Sequence, residues 1–254
     1  MKQKLLIASA IFAIFSLASC KKDDPAPGGN NPGTEKKLKK ITKTEAGAVT
    51  VFNLNYNTAG KLVSYKTADN SEYVLFSYDA NGNLTGIEEK EIDFKNIYTY
   101  SYQNNVPVSA TFKSWNISGG LPGTLIEDDQ LAYTVTNNQV SKIKLTMQGA
   151  GETNFNLTYT NGLFIRAASE GAFVYTADIF YGNKKPMYPK VTNWVLDQAG
   201  FSALFAASHE IVKVVIDFPG TAMDQTINTT YTYDANGYVL TSNDGTTQQV
   251  FEYQ

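Results

Sequence analysis

The sequence predicts a mainly β fold: an antiparallel meander of repeated β-hairpins that forms a curved open sheet or partial barrel, with one short helical insert. Three observations predict it. A pattern of alternating aromatic residues, a tyrosine, a polar turn and an aliphatic residue returns along most of residues 50–254. Several tyrosines of neighbouring copies are 22 residues apart. One long gap in the pattern, between Tyr181 and Tyr233, holds apolar residues at helical spacing.

Composition and charge limit the class of protein. The chain has 254 residues, of which 43% are hydrophobic, and this is enough for a large core. Lys and Arg total 21 and Asp and Glu 24, which gives no reason to expect a nucleic-acid partner. The acidic surplus is spread thinly along the sequence, and we interpret it as ordinary solubility. Cys20 is the only cysteine, so disulfides within the chain are excluded.

Residues 1–19 have the pattern of a signal peptide. Two lysines precede Leu5–Leu17, a run of small and apolar residues that is too short for the roughly 30 Å hydrocarbon core of a membrane. The sequence Leu17-Ala18-Ser19-Cys20 resembles the lipobox of bacterial lipoproteins. The resemblance implies cleavage before Cys20 and a diacylglycerol on its sulfur, which would hold the chain at the outer membrane.

The residues after Cys20 predict where the domain is displayed. Lys21 to Asp24, Lys-Lys-Asp-Asp, resemble the charged start of surface lipoproteins of the Bacteroidota type, which implies the cell surface; the periplasmic face is the alternative. Residues 25–34 hold three prolines and three glycines and predict a flexible tether. The predicted organisation is therefore a signal peptide (1–19), a lipidated cysteine with its tether (20–37) and a single repeat-built β domain (38–254).

The repeat is clearest at residues 76–84 and 231–239, and a third copy covers 54–62. In these copies Asp79 or Asn57 is placed to close the turn through a bond to the backbone, while a following glycine supplies a positive φ. Each copy is predicted to be one hairpin. Weaker copies lie at 100–106, 133–140, 157–163 and 180–183.

The motif Tyr-Asp-x-x-Gly-x, followed by Leu at 84 or Val at 239, resembles the YD repeat of Rhs-type and wall-associated proteins. The chain is also similar to Bacteroidota lipoproteins of unknown function that carry such hairpins behind a lipobox. In Rhs proteins the repeats form a long shell around a toxin. This chain is far too short for such a shell and has no toxin segment, so the resemblance implies architecture and not activity.

The gap in the repeat predicts the helical insert, at about residues 190–210. Apolar residues within Asn193–Ser208 keep helical spacing, and Asn193 is placed to cap the start. Gly200 weakens a helix by roughly 1 kcal/mol relative to Ala, which favours one broken helix or two short ones. The insert is expected to cover one face of the sheet, and a ligand-gating role is the alternative.

Few residues are suited to catalysis. His209 is the only histidine and Arg166 the only arginine, and no Gly-x-Ser-x-Gly motif supplies a nucleophile, so we expect no catalytic residue and no enzyme activity. Histidine and cysteine ligands are too few for the usual zinc or iron site, and no phosphate-binding loop is present, so no metal and no cofactor are expected.

One acidic cluster, Glu88 to Asp93, could argue for an enzyme, because a glycosidase needs only two carboxylates about 5–10 Å apart. In a strand, Glu89, Glu91 and Asp93 share a face with Ile87. We interpret that face as solvated.

The leading hypothesis is a membrane-anchored, surface-displayed, non-enzymatic protein that binds a glycan or a protein partner. The ligand is expected on one sheet face or on an irregular stretch at 113–130, with Trp115 and Trp194 as candidate contact residues, since exposed aromatic rings stack on sugars and peptides. A structural envelope or assembly lipoprotein is the alternative. A hydrolase that uses carboxylates such as Glu89 and Asp93 is the third hypothesis.

Overall fold

The structure, a computed structural model, describes residues 35–198 and 200–254. The predicted signal peptide, Cys20 and the tether up to residue 34 lie outside the described residues. The described part contains 17 β-strands and one α-helix. The strands are β1 (Leu38–Glu45), β2 (Ala48–Tyr56), β3 (Leu62–Lys66), β4 (Tyr73–Tyr78), β5 (Leu84–Lys90), β6 (Phe94–Gln103), β7 (Val106–Asn116), β8 (Thr124–Thr136), β9 (Gln139–Met147), β10 (Gly151–Thr160), β11 (Leu163–Gly171), β12 (Thr176–Tyr181), β13 (Ile211–Asp217), β14 (Gln225–Asn228), β15 (Thr230–Tyr233), β16 (Val239–Asn243) and β17 (Thr247–Tyr253).

The strands form one antiparallel meander that nearly closes into a barrel. Consecutive strands pair with each other, and β17 pairs back onto β1, with Ile41 opposite Phe251. The ring of pairings is open at one seam. There β14 and β15 follow one another along the chain, separated by Thr229, so that β14 pairs only with β13 and β15 only with β16. The predicted mainly β meander of hairpins is confirmed, and of the two predicted shapes the barrel is the one observed.

One end of the barrel, called the base, holds the predicted repeat turns. Three turns, Asn57–Lys61, Asp79–Asn83 and Asp234–Tyr238, share one geometry. The first residue donates its backbone amide to the carbonyl of the last, and its own carbonyl accepts the amide of the glycine, whose φ is 77° to 82°. The first side chain also accepts the amide of the last residue at 2.8–2.9 Å. In the weaker copies, the two-residue turns at 104–105, 137–138 and 161–162 have positive φ at both positions, as a hairpin turn requires.

The repeat tyrosines join each hairpin to an earlier one. Seven of them donate their hydroxyl, at 2.6–3.0 Å, to the carbonyl of the first or second residue of a strand that starts at the base. At five of these seven tyrosines the strand shifts register, which is a β-bulge or irregularity in the ladder. The pairs are Tyr56 with Leu38, Tyr78 with Leu62, Tyr102 with Leu84, Tyr159 with Val140, Tyr181 with Phe164, Tyr231 with Ile211 and Tyr253 with Val239.

The insert, residues 182–210, leaves the barrel wall at the base after β12 and returns there before β13. Its only helix among the described residues is α1 (Phe201–Ala206), shorter than predicted. The prediction that Asn193 caps a helix is wrong, because Asn193 lies eight residues before α1. The carboxylate of Asp197 accepts the amides of Phe201 and Ser202 at 2.8 and 2.6 Å instead.

The insert lies inside the barrel. Phe205 is 1% exposed and packs against the rings of Tyr65 and Phe76 on β3 and β4, with ring centroids 6.3 and 5.0 Å apart. From β8, the hydroxyl of Tyr133 donates to the carbonyl of Leu196 at 2.5 Å. Contacts with separate parts of the wall show that the insert fills the lumen, which extends the predicted role of covering one sheet face.

Within the described ranges, 35–198 and 200–254, no helix is both long enough and apolar enough to cross a membrane.

Candidate functional site

A cavity of about 460 Å³ remains inside the barrel beside the insert. It extends from Glu45 and Glu91, at the end opposite the base, down to Leu157 and Ile227 within the wall. We call that end the rim; it comprises the connections 46–47, 67–72, 91–93, 117–123, 148–150, 172–175, 218–224 and 244–246. Volumes of this size are typical of small-molecule sites.

One side of the cavity carries a row of polar side chains, which we call the polar row: Glu89, Asn96, Ser114 and Glu127. These residues stand directly opposite one another on β5, β6, β7 and β8. All four line the cavity, and Asn96 donates its side-chain amide to Glu89 at 3.2 Å. Because alternate residues of a strand face the same side, the register of four strands brings these groups into the lumen together.

Burial raises the pKa of Glu89 to about 7. The nearby charges of Glu91 and Asp197 also raise it, while the hydrogen bond from Asn96 lowers it. A carboxyl that loses water without gaining a cation holds its proton more tightly. Glu89 therefore takes up and releases its proton near neutral pH.

Glu127, at the other end of the polar row, has the same property. Burial, followed by the charge of Asp129, raises its pKa to about 7. The pKa of Asp129 is also raised by burial; that side chain accepts the amide of Gln148 at 3.2 Å, and its Oδ2 has no hydrogen-bond partner among the described residues. Perturbed carboxyls concentrated in one cavity are typical of functional sites.

The tip of the insert completes the polar side. Asp197 and Gln198 both line the cavity, and the backbone carbonyl of Gln198 accepts the hydroxyl of Tyr175 at 2.8 Å. Gln198 is 8% exposed, and its side-chain oxygen has no partner among the described residues. The insert therefore places a buried acceptor without a donor in the wall of the cavity.

The opposite side of the cavity is apolar. Strands β9 to β14 contribute only aliphatic and aromatic side chains to it, such as Met147, Phe155, Phe164 and Ile216. The cavity thus has two faces, which suits a molecule with an apolar body and a polar group at one side.

The interpretation of the acidic cluster as a solvated strand face is wrong for Glu89, whereas Glu91 and Asp93 are exposed as expected. Glu89 faces the lumen as Ile87 does, and its pKa is raised by burial. Glu91 lines the rim of the cavity, while Asp93 is exposed and lies outside it. Glu88, on the outer side, is 2.9 Å from the Nζ of Lys95. The shared face with buried Ile87 was the signal in the sequence that pointed inward.

The two tryptophans lie apart from the cavity. Trp115 is half-buried on β7 opposite Lys95 and Leu125, and Trp194 packs against the core from within the insert. Neither lines the cavity, and their predicted role in binding stays a prediction. The stretch 113–130 is not irregular as expected, because strands β7 and β8 leave only residues 117–123 as a loop.

The lone histidine and arginine do not join the polar row. Arg166 makes an exposed ion pair with Asp178 at 2.8 Å on the outer wall, and His209 lies near the base, its Nδ1 without a partner among the described residues. No group of three or more potential metal ligands was found in the described part of the chain.

Charges are distributed unevenly between the two ends, which corrects the interpretation of the acidic surplus as thinly spread. The rim connections contain six carboxylates and no Lys or Arg. At the base, exposed lysines such as Lys184 and Lys185 are accompanied by carboxylates, and Lys36 pairs with Asp234 at 2.6 Å. The acidic residues of the rim connections are Asp69, Glu72, Glu91, Asp93, Asp224 and Asp244.

The outer wall is polar. Ion pairs link neighbouring strands on it, such as Lys113 with Asp128 at 2.9 Å and Lys144 with Glu152 at 2.7 Å. Strands that cross a membrane present an apolar band outward and polar residues inward. Here the outer wall carries these ion pairs together with exposed apolar side chains such as Val49 and Phe180, and most of the core faces the lumen.

Fold and site together define an antiparallel β-barrel with an internal plug and a two-faced cavity. Neither a known protein family nor a curated protein matches the sequence. Among solved structures, the chain is similar to a porin-like protein from Bacteroides uniformis ATCC 8492, with 15% identity and a TM-score of 0.52, over 88% of this chain and 99% of that one. That likeness shows a shared fold.

Two further structures are similar over most of this chain at lower TM-scores. A porin-like protein from Bacteroides vulgatus ATCC 8482 has 10% identity and a TM-score of 0.43, over 87% of this chain and 99% of that one. A Tc holotoxin pore from Photorhabdus luminescens has 11% identity and a TM-score of 0.25, over 82% of this chain and 14% of that one.

Proposed function

We propose that this protein is a non-enzymatic, lipid-anchored binding protein that holds a small ligand inside its barrel. The observation that carries the proposal is the two-faced cavity of about 460 Å³ within an otherwise packed core. Protein interiors are close-packed, so a cavity of this size with both apolar and polar lining is best explained by a ligand.

The proposed anchor is the lipid on Cys20 of a Bacteroidota-type lipoprotein with YD-like hairpins, displayed at the surface of the outer membrane. Two observations support an attachment through lipid. The outer wall carries ion pairs such as Lys113 with Asp128, which suit water and not acyl chains. The described chain also begins at the base, where Lys37 exchanges backbone hydrogen bonds with Gln254, so a tethered barrel can present its rim away from the membrane.

The proposal is tested by filling the cavity. Ala177 lines it, so Ala177→Phe in the mature chain, with Cys20→Ser to keep it unlipidated, should weaken binding of an apolar fluorescent dye such as N-phenyl-1-naphthylamine. Ala132→Phe, on the exposed outer side of β8, is the matched control and should bind as the parent does. No dye binding by the parent, or equal binding by all three proteins, would refute a lumen site.

A hydrolase is the second candidate function, and the raised pKa of Glu89 is the observation that favours it. A general acid needs a carboxyl that stays protonated near neutral pH. The expected partner Asp93 lies outside the cavity, so Glu91 is the neighbour that remains. Hydrolysis of chromogenic glycosides that disappears in Glu89→Gln, with the dye still bound, would favour the enzyme over the binding protein.

A further inference from the structure

The charged groups of the cavity share one chemical property: nearly all of them are carboxylates, which accept hydrogen bonds. Six carboxylates line the described cavity against a single lysine, Lys43, which lies 2.6 Å from the carboxylate of Glu45. The six are Glu45, Glu89, Glu91, Glu127, Asp197 and Asp244. Asp197 already serves α1 as its cap.

A second observation is independent of the carboxylates. The buried Gln198 presents a side-chain oxygen that has no donor within the described chain. A buried acceptor without a donor costs about 1–3 kcal/mol, so such atoms are normally satisfied by a ligand or water. Here the missing partner is a hydrogen-bond donor.

We propose that the ligand of the cavity is a cationic amphiphile, a primary or secondary ammonium group on an apolar body. This inference rests on the proposed lumen site. The ammonium group lies along the polar row, where Glu89 or Glu127 accepts its charge and Gln198 accepts one of its N–H groups. Its apolar body packs against the wall formed by β9 to β14.

The entrance supports the same ligand class. The rim connections hold six carboxylates, more than the lysines Lys66 and Lys90 at the adjoining strand ends, so the charge at the opening favours cations over anions. Aromatic rings next to the polar row, Phe94, Tyr98 and Phe112, add faces on which an ammonium group is stabilised.

The experiment compares three probes with the same alkyl chain, decylammonium, 1-decanol and decanoate, on the mature chain with Cys20→Ser. Binding is measured by calorimetry below the concentration at which each probe forms micelles. Since hydrogen bonds to charged groups contribute about 1.5–3 kcal/mol, decylammonium should bind at least roughly tenfold more tightly than 1-decanol, and decanoate should bind most weakly.

The variant Glu89→Gln/Glu127→Gln identifies the groups responsible. It should lose most of the preference for decylammonium and keep its affinity for 1-decanol. Glu152→Gln, on the outer wall, is the control and should retain the preference. Unfolding in urea verifies that each variant is folded.

The outcomes distinguish the claim of a cationic ligand from the claim of a binding site in the lumen. Equal binding of the three probes, or a preference that survives in Glu89→Gln/Glu127→Gln, would overturn the cationic ligand while leaving the lumen site in place. If no probe binds and the dye does not bind either, the proposed function itself fails.

Discussion

A repeat tyrosine stabilises this barrel in two ways, through the packing of its ring and through the hydrogen bond of its hydroxyl. The ring of Tyr78 packs against the core, while its hydroxyl donates to the carbonyl of Leu62 at 2.7 Å, near the base. Burial raises the pKa of Tyr56 and of Tyr181 to about 12, so these hydroxyls stay protonated donors at any ordinary pH. Spacing in the sequence predicted the tyrosines as strand markers. It could not predict their acceptors, because each acceptor belongs to a strand that starts at an earlier base turn.

The first prediction concerns one such hydroxyl. Tyr78→Phe should lower the free energy of unfolding by about 1–2 kcal/mol, because the carbonyl of Leu62 loses its donor in a half-buried place. Tyr73→Phe is the matched control: its hydroxyl donates to Glu88 on the outer side, where water replaces it, and the change should be small. The measurement is urea unfolding of both variants. Equal losses would show that the hydroxyl bond at the base adds nothing specific.

The second prediction concerns the glycine of a repeat turn. Gly82 has a φ of 82°, so Gly82→Ala should cost about 1 kcal/mol of unfolding free energy. Gly119→Ala is the control, because Gly119 does not have a positive φ and a Cβ there meets nothing within 4 Å. Thermal unfolding of the two variants should separate them. A stable Gly82→Ala protein would mean that the turn changes its geometry to accept a side chain.

At the scale of elements, the hairpins were predictable and the cavity was not. The turns could be read from local chemistry, since Asp79 and Gly82 lie within one nine-residue copy. The polar row depends on register: Glu89 and Glu127 are 38 positions apart in sequence and face one cavity only because four strands align. The spacing of apolar residues predicts the insert. The same pattern does not indicate whether a helix covers the sheet from outside or lies inside a barrel.

The third prediction tests the insert. Asp197 accepts the amides of Phe201 and Ser202, so Asp197→Ala should destabilise α1 by about 1–2 kcal/mol and increase amide exchange in residues 191–206. It should also lower the pKa of Glu89, because the charge of Asp197 helps to raise it. Asp217→Ala, exposed at the end of β13, is the control for loss of a carboxylate. Unchanged exchange in the insert would show that packing of Phe205 alone holds it.

The whole molecule combines a base of mixed charge, an acidic rim and buried carboxyls between them. The groups that face Glu89 are Glu91, Asp197, Tyr65 and Tyr98, together with the amide of Asn96. Glu127 faces Asp129. Each of these two carboxyls therefore has another carboxylate nearby. Because ionised carboxylates repel one another, the free energy of unfolding must depend on how many of them are ionised.

The fourth prediction is therefore a loss of stability as pH rises. Glu89 and Glu127 have a pKa of about 7 in the folded barrel and about 4.5 when unfolded, so the folded state binds more protons between these values. Their contribution is fully present below pH 4.5 and is lost as pH rises through 7. One pKa unit corresponds to about 1.4 kcal/mol. Because water at the cavity screens both groups, we expect a combined loss of about 3 kcal/mol of unfolding free energy between pH 5 and 8.

The measurement is urea unfolding at several pH values. Glu127→Gln should roughly halve the loss and raise stability at pH 8, whereas Glu152→Gln on the exposed wall should change neither. A stability that rises over this range would mean that cations reach the polar row and stabilise the ionised carboxylates.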